Sequence, residues 1–138
     1  RARLRPAAEQ AKKTLSQRDE AVINVPNCCS VPMRDGGKRL VSVNSLTVTR
    51  AEFEKRIRKY LDETIRIVED VLQATGGVPK EMVDEVLLVG GATYIPCIRK
   101  AVEAMFPDKV RPVEEVDPMT CVAQGAAIEA DLLSRTSP

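Results

Sequence analysis

The sequence predicts a mixed α/β chain, and three features carry that reading. Apolar residues recur at helical spacing in four separate stretches, around residues 4–15, 53–72, 95–105 and 122–133. Two segments with strand character, residues 21–25 (AVINV) and 38–43 (KRLVSV), flank a turn signal at Asp35, Gly36 and Gly37. The run Val86, Leu87, Leu88, Val89 reads as a strand buried on both faces, and it leads straight into Gly90 and Gly91.

Taken in order, the first helix follows an arginine-rich start (Arg1, Arg3, Arg5), with Pro6 able to take a first-turn position. Leu4, Ala8, Ala11 and Leu15 form its apolar stripe, while Glu9, Lys12, Lys13 and Ser16 share another face at i, i+3, i+4, i+7. On pattern alone that second face reads as ordinary solvated decoration. The strand segments then predict a β-hairpin with a long loop holding Pro26 and Pro32. Thr49 to Glu52 (TRAE) is a capping box opening a long helix. Its face of Phe53, Ile57, Leu61, Thr64, Ile65, Val68 and Leu72 runs until Gly76 and Gly77 stop it.

After Pro79 come the apolar strand and a helix from about Ile95, with Ile98, Val102 and Met105 spaced for packing. The VRPVEEV segment, 110–116, reads as a short extended piece. Asp117 as N-cap and Pro118 in the first turn open a last helix through Val122, Ala126, Ala127, Ala130 and Leu133. Gly125 in its middle predicts close approach of another backbone. One central strand is too little for a sheet flanked by helices. The sheet therefore reads as incomplete, and the expectation is self-association through residues 86–89 or exposed apolar surface there.

Composition narrows the function. The 138 residues carry 43% hydrophobic side chains but only 3% aromatics, so the core must be aliphatic. A net charge of +1 gives no basic excess for nucleic acid. With no histidine, and with Cys28, Cys29, Cys97 and Cys121 lacking C-x-x-C spacing, neither a structural zinc site nor a histidine base is expected. Cys28 and Cys29 read as reduced loop thiols, which points to a reducing compartment. No apolar run is long enough to span a membrane.

The glycine loop admits two readings, a tight turn or a phosphate-contacting turn in which backbone N–H groups approach a ligand. It is not a P-loop, because G-x-x-x-x-G-K-[ST] is missing. Here four segments matter together: LRPAAEQAKKTLS, LTVTRAEFE, DEVLLVGGATYIP and VDPMTCVAQGAA. In order and spacing, over nearly the whole chain, they resemble the nucleotide-binding domain of the seventy-kilodalton heat-shock chaperones of the DnaK type, in the actin-like ATPase superfamily. The resemblance implies the C-terminal part of that domain, lobe II: residues 1–77 an α+β outer subdomain, and 78–138 part of an inner ribonuclease H-like subdomain. It also accounts for the orphan strand, whose family neighbours come from preceding sequence.

The resemblance further implies ATP or ADP as ligand, with magnesium bound only when the other lobe is present. Glu9 and Lys12 fall where the family contacts ribose hydroxyls, Lys13 against the adenine ring, Ser16 at the adenine edge, and Gly90 and Gly91 near phosphates and ribose. Ala92, Tyr94 and Ile95 complete the implied contact set. Ala92 replaces a family serine, threonine or glutamine, and Tyr94 stands where the family has an arginine over adenine. Two readings of Tyr94 stay open: stacking on adenine opposite Lys13, or pointing to solvent or packing on a helix. Met119 replaces an aspartate of the family's NPDEA pattern. The groups that act on phosphate and magnesium lie mainly outside this stretch, so no catalytic or metal residue is assigned and the isolated chain is expected not to hydrolyse ATP. The implied partners are J-domain co-chaperones and nucleotide-exchange factors, which in the family grip the outer subdomain. A nucleotide-independent interaction module is accordingly the alternative function. The expected location is the cytoplasm, or else an organelle matrix or stroma, and the chain reads as a piece of a longer protein ending just before an interdomain linker.

Overall fold

The computed structural model describes residues 3–74, 76–111 and 117–136. Most of the extended piece predicted at 110–116 lies outside them. The chain is mixed α/β and divides into two compact units, residues 1–59 and 60–138.

In the first unit, α1 (Leu4–Gln17) precedes an antiparallel hairpin of β1 (Glu20–Pro32) and β2 (Lys38–Thr49), and α2 (Arg50–Ala74) starts directly after it. Pro6 sits inside the first turn of α1, where backbone N–H groups have no intrahelical acceptor and its missing donor costs nothing. Of the predicted stripe, Ala11 and Leu15 are buried, Leu4 is half-buried and Ala8 is exposed. Leu15, at 2% exposure, forms the core with Ala11 and Ala21, and Ile23, Val48 and Phe53 pack around it. Strand alternation supplies this: Ala21, Ile23 and Val25 face inward and Val22 and Asn24 outward. The hairpin is longer than its sequence suggests and its loop shorter, covering only residues 33–37. Pro26 is absorbed by a bulge between Val25 and Cys29, where the ladder needs no N–H from it. Cys28 and Cys29 consequently belong to β1 rather than to a loop.

The capping box forms as read. Thr49 N–H donates to Glu52 Oε2 at 3.0 Å, and Glu52 N–H donates to Thr49 Oγ1 at 3.2 Å. The same contact, chiefly with the Thr49 backbone, holds the Glu52 carboxyl below its ordinary range. Arg50 secures the junction, donating from Nε to the Leu15 carbonyl at 2.8 Å and pairing with Asp19 at 2.8 Å. Thr49→Ala is expected to lower stability by about 1 kcal/mol in urea denaturation. An unchanged midpoint would show that the box adds nothing.

In the second unit, α2 ends at Gly76 and Gly77, whose φ of 90° and 76° suits glycine alone, and Val78 N–H returns to the Leu72 carbonyl at 3.0 Å. Among the described residues, the strand expected at residues 86–89 shows one parallel bridge, Val86 with Val110, in which Val86 N–H donates to Lys109 and its carbonyl accepts from Arg111. Leu87 and Val89 are 53% and 49% exposed. Then follow a 3₁₀ turn (Gly91–Tyr94), α3 (Pro96–Met105) and α4 (Cys121–Thr136). Ile95 and Phe106 are buried at the two ends of α3. No backbone packs at Gly125: nothing among the described residues lies within 4 Å of the place its Cβ would take, contrary to expectation. Val122, Ile128, Leu132 and Leu133 of α4 are exposed.

Candidate functional site

The polar face of α1 is an organised set of side chains. Helical periodicity puts Glu9, Lys12, Lys13 and Ser16 on one side. Lys12 Nζ pairs with Glu9 Oε1 at 2.9 Å, both side chains being about half exposed. The hydrogen bond from Lys12 is the main cause of a lowered Glu9 pKa, assisted by the charges of Lys12 and Lys13. Glu9 is therefore firmly a carboxylate, an acceptor flanked by two ammonium groups. Ser16 is half-buried, and its hydroxyl reaches back to the Lys12 carbonyl at 3.5 Å. Its oxygen keeps acceptor capacity.

The second set lies on the glycine loop. Gly90 has a φ of 90°, a conformation an L side chain rarely adopts, and its N–H donates to the Pro118 carbonyl at 2.8 Å. That donor is committed, so any approach of a ligand to Gly90 uses its bare α-carbon. The Gly90 carbonyl accepts from Thr93 N–H at 3.1 Å and from Thr93 Oγ1 at 2.7 Å, folding residues 91–94 into the 3₁₀ turn. Gly91 is there for a different reason. A Cβ at this position would stand 2.9 Å from Met119 Sδ, so Met119, the residue departing from the NPDEA pattern, occupies the space against the loop. Ala92 is exposed and Ile95 is buried beneath the turn.

Tyr94, 39% exposed, donates its hydroxyl to Asp117 Oδ1 at 2.8 Å. This raises the Tyr94 pKa. Asp117 also accepts from Met119 N–H at 2.9 Å and Thr120 Oγ1 at 3.0 Å, so the predicted capping bond exists although α4 proper begins at Cys121. These donors, Met119 N–H first, lower the Asp117 pKa. The sequence revealed Asp117 only as a cap; its hold on Tyr94 spans a separation that no local motif encodes. A group titrating lower when folded contributes stability that is complete above its ordinary pKa of 3.8 and is lost as pH falls through the folded value. Tyr94→Phe removes one donor and is expected to bring the Asp117 titration, followed by carboxyl NMR shifts, up toward that ordinary value. An unmoved titration would mean the contact does not persist in solution.

The structure thus brings Glu9, Lys12, Lys13 and Ser16 together on α1, and Gly90, Gly91, Ala92, Tyr94 and Ile95 together on the loop. A family model described as Hsp70 protein matches residues 1–138. The chain belongs to the Hsp70 family. Relatives of this Hsp70 chain include proteins named chaperone protein DnaK from Mycoplasmoides gallisepticum, 39% identical over 95% of the chain. Those from Methanothermobacter thermautotrophicus and Mycoplasma mycoides subsp. mycoides SC are 38% and 36% identical, each over 96% of it. The Hsp70 chain spans about a fifth, 21%, of the length of each. Among its described residues, no helix is long and apolar enough to cross a membrane, and no three His, Cys, Asp or Glu side chains are grouped to hold a metal ion.

Proposed function

We propose that this chain is the adenine-nucleotide-binding lobe of a DnaK-type chaperone, supplying adenosine contacts to an ATPase cleft whose catalytic groups lie elsewhere. The observation that carries the reading is the Glu9–Lys12 pair with Lys13 and Ser16 on one face of α1, in a chain of the Hsp70 family. A carboxylate suits the vicinal hydroxyls of a ribose, because it accepts from both, and an adjacent ammonium donates to one of them. Lys13 supplies a cation and a flexible stem for the face of a base, and Ser16 a hydroxyl for its edge. The glycine loop contributes backbone that a ligand can approach closely, with Tyr94 as an aromatic surface in place of the family arginine.

Among the described residues no three His, Cys, Asp or Glu side chains are grouped, and this reading leaves magnesium and phosphate chemistry to groups outside this chain. Purified, it is expected to turn over no ATP above background. A reducing cytoplasmic setting and J-domain co-chaperones belong to the same reading. The test is titration with ADP followed by amide NMR. Shifts concentrated at Glu9, Lys13, Ser16, Gly90, Gly91 and Tyr94 support it; no shifts at millimolar ADP overturn it.

A second reading, a docking module for nucleotide-exchange factors, is favoured by the hairpin tip, where Val31, Met33 and Leu40 are exposed apolar residues. Binding of an exchange factor that is lost on replacing these residues by serine, with ADP shifts retained, would support it independently of the nucleotide face.

A further inference from the structure

Cys28 and Cys29 are adjacent in β1, and regular strand alternation would send their side chains to opposite faces. The hairpin register breaks at this point. Val25 pairs with Val43 and Cys29 with Val41, so residues 26–28 of β1 stand opposite Ser42 alone. Within this bulge Asn27 takes a φ of 51°, and its N–H donates to Ser42 Oγ at 2.9 Å. Cys28 is buried, with its thiol donating to the Val41 carbonyl at 3.2 Å, while Cys29 is exposed. Even so, the two sulfurs lie 4.0 Å apart, and both are thiols outside any disulfide.

That spacing discriminates between chemistries. A disulfide would need the sulfurs to close to about 2.05 Å, with a dihedral that neighbouring residues rarely reach. Two sulfurs held by one pyramidal soft centre, at bonds of about 2.3 Å and an angle of roughly 100°, stand about 3.5 Å apart. The observed separation must close by about 0.5 Å to reach that spacing, against about 2 Å for a disulfide. Zinc would want four ligands, and among the described residues no third His, Cys, Asp or Glu joins the pair. A soft centre satisfied by two sulfurs remains.

We propose that Cys28 and Cys29 form a dithiol site for soft thiophilic centres that take two protein sulfurs, the class to which trivalent organoarsenicals belong. With such an arsenoxide, two As–S bonds form, the arsenic–oxygen bond is lost, and both thiol protons leave with that oxygen as water. No oxidant or reductant enters. Cys29 supplies the entry point and Cys28, fixed by its bond to Val41, the preorganised second ligand.

The test is intact-mass titration of the reduced chain with phenylarsine oxide. One adduct per chain is expected, surviving excess 2-mercaptoethanol and removed by a dithiol. Cys29→Ser, at an exposed position that leaves the fold intact, should lower adduct occupancy at equal reagent at least tenfold. Cys28→Ser should do the same, and Cys97→Ser with Cys121→Ser should keep the adduct. Absence of an adduct in the unaltered chain, or its persistence in Cys29→Ser, overturns the site.

Discussion

Leu15→Ala is expected to destabilise the chain by about 2–5 kcal/mol, a large share of the roughly 5–15 kcal/mol typical of a whole domain. The reason lies in how little else the first unit buries. Its core cluster is Leu15 with two alanines, Ala11 and Ala21, so Leu15 supplies most of that cluster's buried apolar volume, and Ile23, Val48 and Phe53 cannot close over the gap without leaving their own contacts. Urea denaturation followed by far-UV circular dichroism measures the loss. Val22→Ala is the control: on the hairpin face opposite Ala21 and 57% exposed, it should change stability by no more than about 0.5 kcal/mol. Equal effects at the two positions would mean that the unit is held together by something other than this cluster.

Glu9→Ala combined with Lys13→Ala is expected to weaken ADP binding by roughly tenfold or more, the scale of losing charge-assisted hydrogen bonds to a ligand. In the proposed contact Glu9 accepts and Lys13 donates or covers, so the double change removes the carboxylate and one of the two ammonium groups of this face while leaving the buried stripe of α1 untouched. Lys12 loses its ion-pair partner in this variant, but an exposed pair of this kind adds little to stability. The measurement is the ADP dependence of amide shifts at Gly90, Gly91 and Tyr94, positions that the substitutions do not alter. An unchanged affinity would remove α1 from the nucleotide site and leave the exposed hairpin tip as the functional surface.

Much of the local architecture could be read from sequence because it is encoded within a few residues. The Thr49–Glu52 box, the glycine stop of α2 and the start of α3 next to Ile95 each depend on neighbours three or four positions away, and each stands as read. Readings failed where the deciding partner is distant. Residues 86–89 have strand composition, but a strand is made by its neighbours, and among the described residues the pairing is the single bridge to Val110. The hairpin's length was hidden by Pro26 and Pro32, since proline argues against a ladder until a bulge is found to receive it. The face on α1 was visible as spacing, yet spacing alone equally describes solvated charges; the family is what makes nucleotide the reading to test. Tyr94 and Asp117 carried no mutual signal at all.

The ties between the glycine loop and the turn before α4 bear on the thermodynamics of whatever the loop meets. Gly90 is fastened to Pro118 and Tyr94 to Asp117, so a segment of five residues is closed at both ends on two consecutive anchors. Ordering a loose backbone residue costs about 1–2 kcal/mol of conformational entropy, and here that ordering is already in place before any ligand arrives. A preorganised loop of this kind gives up little freedom on association, so a weak set of direct contacts suffices for measurable affinity. Cutting either anchor would leave every contact atom in the loop chemically unchanged and still cost affinity, through restored disorder alone.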